Sequence, residues 1–293
     1  MLDKARLLQQ FNAAAWEYQD AAVLQDYTAG QLLDRLQLMN IKPRAILDLG
    51  SGTGSNSYRL AGLYPGARII QMDFAMNMLR QAQGVMSGKK NQFSFLCADA
   101  DQNPIADSCI DLIHSNLMVQ WSTDPVQLYS NILRTLRNGG LFLFSSLGPD
   151  TLKELRSSWA SVDDGTHVNE FMDIRELGDI LVQAGFADPV MEADYVNIAY
   201  DKIDDLFKDL KKLGASNASN SRRKTLTGKD RFLDMQVHYE KCRKDGKLPA
   251  SYEVVFGHAW AIKNKRAETG SDFRISLDSL KNSLSRLKGR HRR

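Results

Sequence analysis

Ala45-Ile46-Leu47-Asp48-Leu49-Gly50-Ser51-Gly52-Thr53-Gly54-Ser55 decides how the rest of the chain is read. An apolar run breaks abruptly into glycines at alternate positions. The run predicts a strand buried on both faces of a parallel sheet. The glycines let the backbone turn tightly and approach a ligand where a Cβ would obstruct it. A dinucleotide fingerprint, Gly-x-Gly-x-x-Gly, fails because Ser55 stands at its third glycine. No Gly-Lys-Ser/Thr follows, so the loop is not a nucleotide phosphate loop.

Asp48-x-Gly50-x-Gly52-x-Gly54 resembles motif I of the class I methyltransferases that use S-adenosylmethionine. That resemblance implies a loop under the methionine end of the cofactor, with Asp48, Gly50, Ser51, Gly52 and Gly54 in the binding site. Tyr58 to Tyr64 continues a helix that Pro65-Gly66 ends, and Ala67 to Asp73 is the next strand. An acid at the end of the second strand of a βαβ unit, about 20 residues past the glycines, can accept both ribose hydroxyls. Asp73 has that place.

A helix over 75–87 leads to a third strand, Gln92 to Ala100, ending in Ala98-Asp99-Ala100. In methyltransferases that this stretch resembles, the acid accepts the adenine amino group and the next backbone amide meets a ring nitrogen. Asp99 and Ala100 take those roles, with Asp101 the rival carboxylate. Ser108 to Asn116 is a fourth strand, within which His114 reads as a packed, hydrogen-bonded histidine. Open α/β sheets hold ligands at the carboxyl ends of central strands, which brings Asn116, Gln120 and Trp121 near the sulfonium. Asn116-Leu117-Met118 lacks the Asn/Asp-Pro-Pro-aromatic motif of enzymes that methylate base amines, and no Pro-Cys nucleophile appears. Nucleic acid is therefore not expected as a partner.

A helix over 125–136 is expected to end at Gly139-Gly140 before a buried fifth strand, Leu141 to Ser145. Strands alternating with helices predict a doubly wound α/β fold. The resemblance makes it a mostly parallel, seven-stranded Rossmann-like sheet. Upstream, residues 3–38 have a helical pattern that puts Phe11 and Tyr18 on one face. By itself such a stripe docks a helix on a core. Similar helices in related methyltransferases imply a lid, with Tyr18 over the cofactor pocket.

Downstream come a helix over 173–186 closed by Gly185, a strand ending at Tyr200, a charged helical stretch over 201–246, and a strand from Tyr252 to Trp260. Asp209-Leu210-Lys211-Lys212-Leu213-Gly214-Ala215 and Leu248-Pro249-Ala250-Ser251-Tyr252-Glu253 resemble the malonyl-acyl-carrier-protein O-methyltransferases of biotin synthesis. That likeness runs from about Phe11 to Trp260. It implies lid helices over 1–40, a cofactor-binding core over 41–200, a helical cap over 201–250 and final core strands over 251–277. A basic tail over 278–293 follows. The short strand candidate at 273–277 and this tail have no counterpart role in the family.

The chain has 293 residues, enough for a large α/β domain with an insertion. No apolar run nears the roughly 18 residues needed to span a bilayer, so no membrane partner is expected. The first residues carry both acid and base with no apolar segment behind them, unlike a secretory signal, so a cytoplasmic location is expected. Cys97, Cys109 and Cys242 are odd in number and widely spaced, against both a disulfide framework and a zinc ribbon. No metal is expected, and the chain is expected to be a monomer.

Net charge is only +3, yet bases crowd into 208–231. Among them, Lys211, Lys212, Arg222 and Arg223 are the candidates for docking an acidic carrier protein that bears the malonyl group. A carboxylate acceptor with a pKa near or below ~4 is already ionised at neutral pH, so no general base is required. Tyr18 and Trp121 are lid or pocket candidates, and Arg156 is a candidate for orienting the malonyl carboxylate. Two other functions remain open on the sequence. One is methylation of a small aromatic or quinone precursor; the other is S-adenosylmethionine binding without turnover, as a regulator or RNA-associated protein.

Overall fold

The computed structural model describes residues 2–86, 92–223, 225 and 227–262. Lys224, the strand candidate at 273–277 and the basic tail lie outside the described residues. The described chain opens with α1 (Lys4–Ala14), α2 (Tyr18–Ala21) and α3 (Val23–Gln37). The continuous helix expected over 3–38 is therefore three pieces. The reason is tertiary: α1 packs on one flank of the sheet while α3 lies over a central strand, and no straight rod reaches both. The sequence shows no Gly or Pro at the breaks.

Strands and helices then alternate through β1 (Ala45–Leu49), α4 (Ser55–Leu63), β2 (Arg68–Asp73), α5 (Met76–Val85), β3 (Phe93–Cys97), β4 (Ile110–Ser115), α6 (Pro125–Thr135) and β5 (Leu136–Leu147). The second half adds α7 (Lys153–Ala160), α8 (Ile174–Ala184), β6 (Ala187–Tyr200), α9 (Ile203–Lys212), α10 (Lys229–Glu240) and β7 (Leu248–Ala261). One seven-stranded sheet results, in the order β3-β2-β1-β4-β5-β7-β6. Six strands point the same way, and β7 alone runs antiparallel, inserted between β5 and β6. The expected doubly wound, mostly parallel sheet is thus present.

Both faces of the sheet are apolar because successive side chains point to opposite sides. Ile46, Leu141 and Leu143 join the core beneath α3 and α4, while Leu47, Phe142 and Phe144 join the core beneath α6 and α8. Several helix starts are written locally. Asp124 caps α6 by accepting from the Gln127 amide, with Pro125 in the first turn. Asp173 and Glu176 form a reciprocal capping box on α8, and Gly185 closes it.

Two boundaries differ from the sequence reading. The glycines at 139 and 140 do not end α6; they belong to β5, where register jumps from Ile110↔Leu136 to Leu112↔Leu141. Residues 137–140 bulge out of the ladder, a use of glycine that resembles a helix stop when read in one dimension. The stretch over 201–246 is not uniformly helical either. Between α9 and α10, residues 213–219 run along α1: the Asp3 amide donates to Ala218, and Gly214 packs on the Gln10 backbone. The residues up to Ile262 form one compact unit.

Candidate active site

Strand order reverses between β1 and β4, where the loops leaving the two strands diverge and open a crevice. A long cavity occupies it. Gly50 and Gly52 lie on one side, Asp73 and Asp99 at the ends of their strands, and Asn116, Leu117 and Met118 across the gap. Gly50 has φ of +74°, and a Cβ there would fall 2.2 Å from the Met118 side chain. Only glycine lets the two loops approach so closely. Gly52 also has positive φ, but a Cβ there would meet no atom within 4 Å. It would project into open space at the wall of the cavity.

Asp73 is 9% exposed. Its Oδ2 accepts the Gly52 amide at 2.9 Å and its Oδ1 accepts the Ala75 amide at 2.8 Å. Each oxygen keeps a further lone pair. Burial pushes the carboxyl up to about 6 against the opposing pull of these two amides. Hydroxyl donors entering the cavity would favour its charged form.

The two acids after β3 both line the cavity and both bind Lys4, but their other partners differ. Asp101 accepts from Ser122 Oγ, from the Thr123 amide and hydroxyl, and from Lys4. Burial works against its charge, but these donors prevail and hold its carboxyl below the usual range. Its acceptor capacity is taken up in tying down the turn before α6. Asp99 accepts its own loop amide at residue 101 and the Lys4 ammonium at 2.7 Å, and its side chain remains 33% exposed at the cavity. Lys4 is a site residue that sequence reasoning missed, since nothing in its local pattern sets it apart.

The N-terminal helices close the crevice. Phe11 meets Phe74 and Trp121 edge to face, at centroid distances of 5.8 and 5.6 Å. Asn77 at the start of α5 bonds the Asn12 side chain and carbonyl, which fixes α1 in place. Tyr18 lines the cavity, and burial beside Asp73 pushes its phenol up, so it stays protonated. From α3, Gln25 presents a buried Oε1 with no partner among the described residues, and Gln120 presents another; both residues line the cavity. The Asn116 side-chain amide donates to the Gln25 carbonyl at 2.9 Å, holding the loop after β4 to α3.

Orphaned acceptors, carboxylates with free lone pairs and an open glycine cradle fit a ligand rich in donors. S-adenosylmethionine offers ribose hydroxyls, an adenine amino group and an ammonium, so the residues fit it.

Not every expected site residue reaches the cavity. Asp48 is fully buried behind the loop, where it accepts from Ser57 Oγ at 2.6 Å and meets His114 Nδ1 at 3.2 Å. Ser51 and Gly54 likewise sit behind the lining, whereas Ala100, Asn116, Gln120 and Trp121 form part of it. Arg156 lines a second cavity, and its guanidinium donates to the backbone carbonyls of Pro149, Thr151 and Asn169. Arg222 is tied to Asp3 at 3.1 Å and to the Ser219 carbonyl, bracing α1 against the insertion. Lys211 and Lys212 occupy the last turn of α9, and Arg223 is exposed beside Asp163.

Away from the glycine loop the cavity becomes an apolar arm walled by Leu152 and Leu155 of the α7 region, Ile198 of β6, Leu210 of α9 and Tyr252 of β7. Sequence reasoning assigned none of these a role. They come together only when β7 folds back between β5 and β6. Among the described residues, no cluster of three or more His, Cys, Asp or Glu is placed to hold a metal, and no helix is long and apolar enough to cross a membrane.

Residues 47–144 match the family model described as a methyltransferase domain. The malonyl-[acyl-carrier protein] O-methyltransferase of Gallionella capsiferriformans is 42% identical, over 89% of this chain and 91% of that protein. Its counterpart in Nitrosospira multiformis is 41% identical, over 88% and 89%. Among solved structures, the YcgJ protein of Bacillus subtilis aligns with a TM-score of 0.57 at 14% identity, over 78% of this chain and 97% of that one. A Haemonchus contortus phosphoethanolamine N-methyltransferase 2, solved with S-adenosyl-L-methionine, aligns at 0.53 and 18% identity, over 85% and 57%. These two likenesses concern the fold alone. With the cavity at the switch point and similarity to curated relatives over about nine-tenths of the chain, the chain belongs to the malonyl-[acyl-carrier protein] O-methyltransferases, on the class I methyltransferase fold.

Proposed function

We propose that this chain methylates the free carboxylate of a malonyl group carried as a thioester on an acyl carrier protein, giving the methyl ester used in biotin synthesis. The observation that carries the reading is the single cavity joining the Asp73 and Asp99 end to an apolar arm, in a chain about 42% identical to relatives of that name. S-adenosylmethionine supplies an electrophilic methyl group on a positively charged sulfur. Asp73 is assigned to the ribose hydroxyls, Asp99 and the Ala100 amide to adenine, and Gln25 and Gln120 to the methionine end. Phe11, Tyr18 and Trp121 exclude water from the reacting atoms, and the chain's main contribution is alignment.

The acceptor is ionised at neutral pH, so no protein base has to remove a proton. Lys4 is the lone Lys or Arg among the residues lining the cavity, and it is already held by two carboxylates. Charge attraction for the acceptor therefore comes from the sulfonium. Lys211, Lys212 and Arg223 form the face offered to an acidic carrier, with Arg222 acting as a brace. The protein works as a monomer in the cytoplasm and uses no metal.

The test is transfer of a labelled methyl group to malonyl carrier protein, with the product identified as an ester by its lability to mild base. Transfer to a small aromatic or quinone precursor, with none to the malonyl carrier, would overturn the assignment.

A further inference from the structure

The apolar arm must hold a carboxylate in line with a methyl group, yet no charged donor is free in it. Lys4 is bound at the far, adenine end by Asp99 and Asp101. Tyr200 donates its hydroxyl to Asp209 Oδ2 at 3.1 Å. Arg156 is directed to backbone carbonyls. Two donors remain. Asn169 is 4% exposed; its Oδ1 accepts the Ala218 amide at 3.0 Å, while its Nδ2 has no partner among the described residues. Tyr252 is 6% exposed, and its hydroxyl likewise has none among the described residues. Both side chains line the cavity.

These two residues are brought to one wall by connected hydrogen bonds. The Leu152 amide donates to the Ser251 carbonyl at 2.6 Å, and Thr151 Oγ1 donates to the Glu253 carbonyl at 3.2 Å, which fixes the loop before α7 against β7 on both sides of Tyr252. Arg156 Nη2 then joins the Thr151 and Asn169 carbonyls, each at 3.3 Å. Both donors belong to nearly buried residues on the wall of an open cavity, where a ligand can take the place of the water that would otherwise satisfy them.

We propose that Asn169 Nδ2 and Tyr252 Oη hold the acceptor carboxylate, with Arg156 positioning Asn169 through its backbone. This rests on the malonyl reading above. Neutral donors suit the chemistry better than a guanidinium. They orient the carboxylate without a full counter-charge, so its oxygen keeps its nucleophilicity. One carboxylate oxygen bonds to the methyl carbon as the methyl–sulfur bond breaks. The electron pair of that bond passes to sulfur, which becomes a neutral thioether, and no proton is released. Burial raises the Tyr252 phenol above its ordinary value, so it remains a donor throughout the neutral range.

Asn169→Asp and Tyr252→Phe test the assignment with little change of shape. Asn169→Asp keeps the oxygen that accepts the Ala218 amide but replaces the donor with a carboxylate. Each variant is expected to raise KM for malonyl carrier protein about tenfold or more, with S-adenosylmethionine affinity by calorimetry within twofold of the parent. Activity of Asn169→Asp, as a fraction of the parent's at each pH and at saturating cofactor, is expected to rise as pH falls toward 5. Protonation then restores a donor, a signature that a structural role would not produce. Unchanged KM in both variants while the parent transfers methyl groups would overturn the donor assignment alone. No transfer by the parent would overturn the malonyl reading and this one together. Lost cofactor binding with unfolding of both variants, seen by circular dichroism, would make the two residues structural and also overturn it.

Discussion

The two ends of the cavity are built by different rules. At the end proposed for the cofactor, the groups that the sheet contributes sit at the carboxyl ends of parallel strands or in the loops that leave them: Gly50 after β1, Asp73 closing β2, Asp99 after β3, Asn116 after β4. Strand register fixes them, and register is written in local sequence. At the acceptor end, Leu152, Asn169, Ile198, Leu210 and Tyr252 come from separate elements that meet only through the antiparallel return of β7. One end of the cavity is written mainly in the sheet, with Lys4, Tyr18 and Gln25 added from the N-terminal helices, and the other is built from what is wrapped over the sheet.

The sharpest break in that comparison is predicted at the glycine loop. In Gly50→Val the new side chain begins 2.2 Å from Met118 and the backbone must hold φ of +74°. Overpacking and left-handed strain together suggest a loss of about 2–5 kcal/mol. A thermal melt should show Tm falling by many degrees, with cofactor binding lost. Gly52→Ala has strain but no clash, so it should cost about 1–2 kcal/mol in stability while its methyl obstructs the ligand. Equal melts for the two variants would show that loop approach at Met118 is not the constraint.

Next in size is Asp73. Asp73→Ala removes charged hydrogen bonds and should weaken S-adenosylmethionine binding by about 1.5–3 kcal/mol, or roughly 10- to 100-fold. The parent should show a pH signature. Its carboxyl titrates near 6 because burial raises it, and hydroxyl donors favour the ionised form. Affinity should therefore be full above that pH and fall as pH drops through it. Asp73→Asn should bind weakly with a flat profile. Calorimetry across pH 5 to 8 that showed no slope in the parent would remove the ribose assignment.

This contrast also explains what could be read in one dimension. The strand-loop-helix repeat over 45–145 was legible because buried parallel strands and glycine turns leave local patterns. His114 as a packed histidine was legible for the same reason: it is fully buried on β4 with Nδ1 toward Asp48. Motif resemblance placed Asp48 among the cofactor ligands, whereas the fold sets it behind the loop to hold Ser57 and His114. Lys4, Gln25 and Asn169 carried no local signal at all. Each acquires meaning from a partner far along the chain, such as Asp99 for Lys4 or Ala218 for Asn169. Arg156 attracted attention as a cation near the site, but the carbonyls around it, which no sequence pattern shows, take its donors.

A smaller effect separates the rival acids. Asp99→Asn should cut cofactor affinity about fivefold with little change in Tm, because its carboxylate faces the cavity. Asp101→Asn should do the reverse, lowering Tm through loss of charged bonds to Ser122, Thr123 and Lys4 while leaving affinity within about twofold. Paired melts and titrations decide, and an affinity loss larger in the second variant would exchange the two roles.

The smallest expected effect lies outside the cavity, on the charges that the sequence alone grouped as one docking face. Arg222 is bound to Asp3, with its side chain 15% exposed, whereas Lys211 and Lys212 end α9 with no ion pair among the described residues. Lys211→Glu with Lys212→Glu should slow association with malonyl carrier protein a few-fold at low ionic strength. The difference should vanish as salt rises, because exposed charges farther apart than the roughly 8–10 Å Debye length of physiological salt are largely screened. Methylation of a small malonyl thioester should change far less, since long-range steering acts on a partner's whole charge distribution. Arg222→Glu should behave as another class of variant: it breaks the tie between α1 and the insertion, so it should lower Tm and impair both acceptors alike. Stopped-flow association and melts on the two sets of variants would separate a docking charge from a brace. A salt-independent loss in the lysine pair, equal on both acceptors, would remove α9 from the docking face.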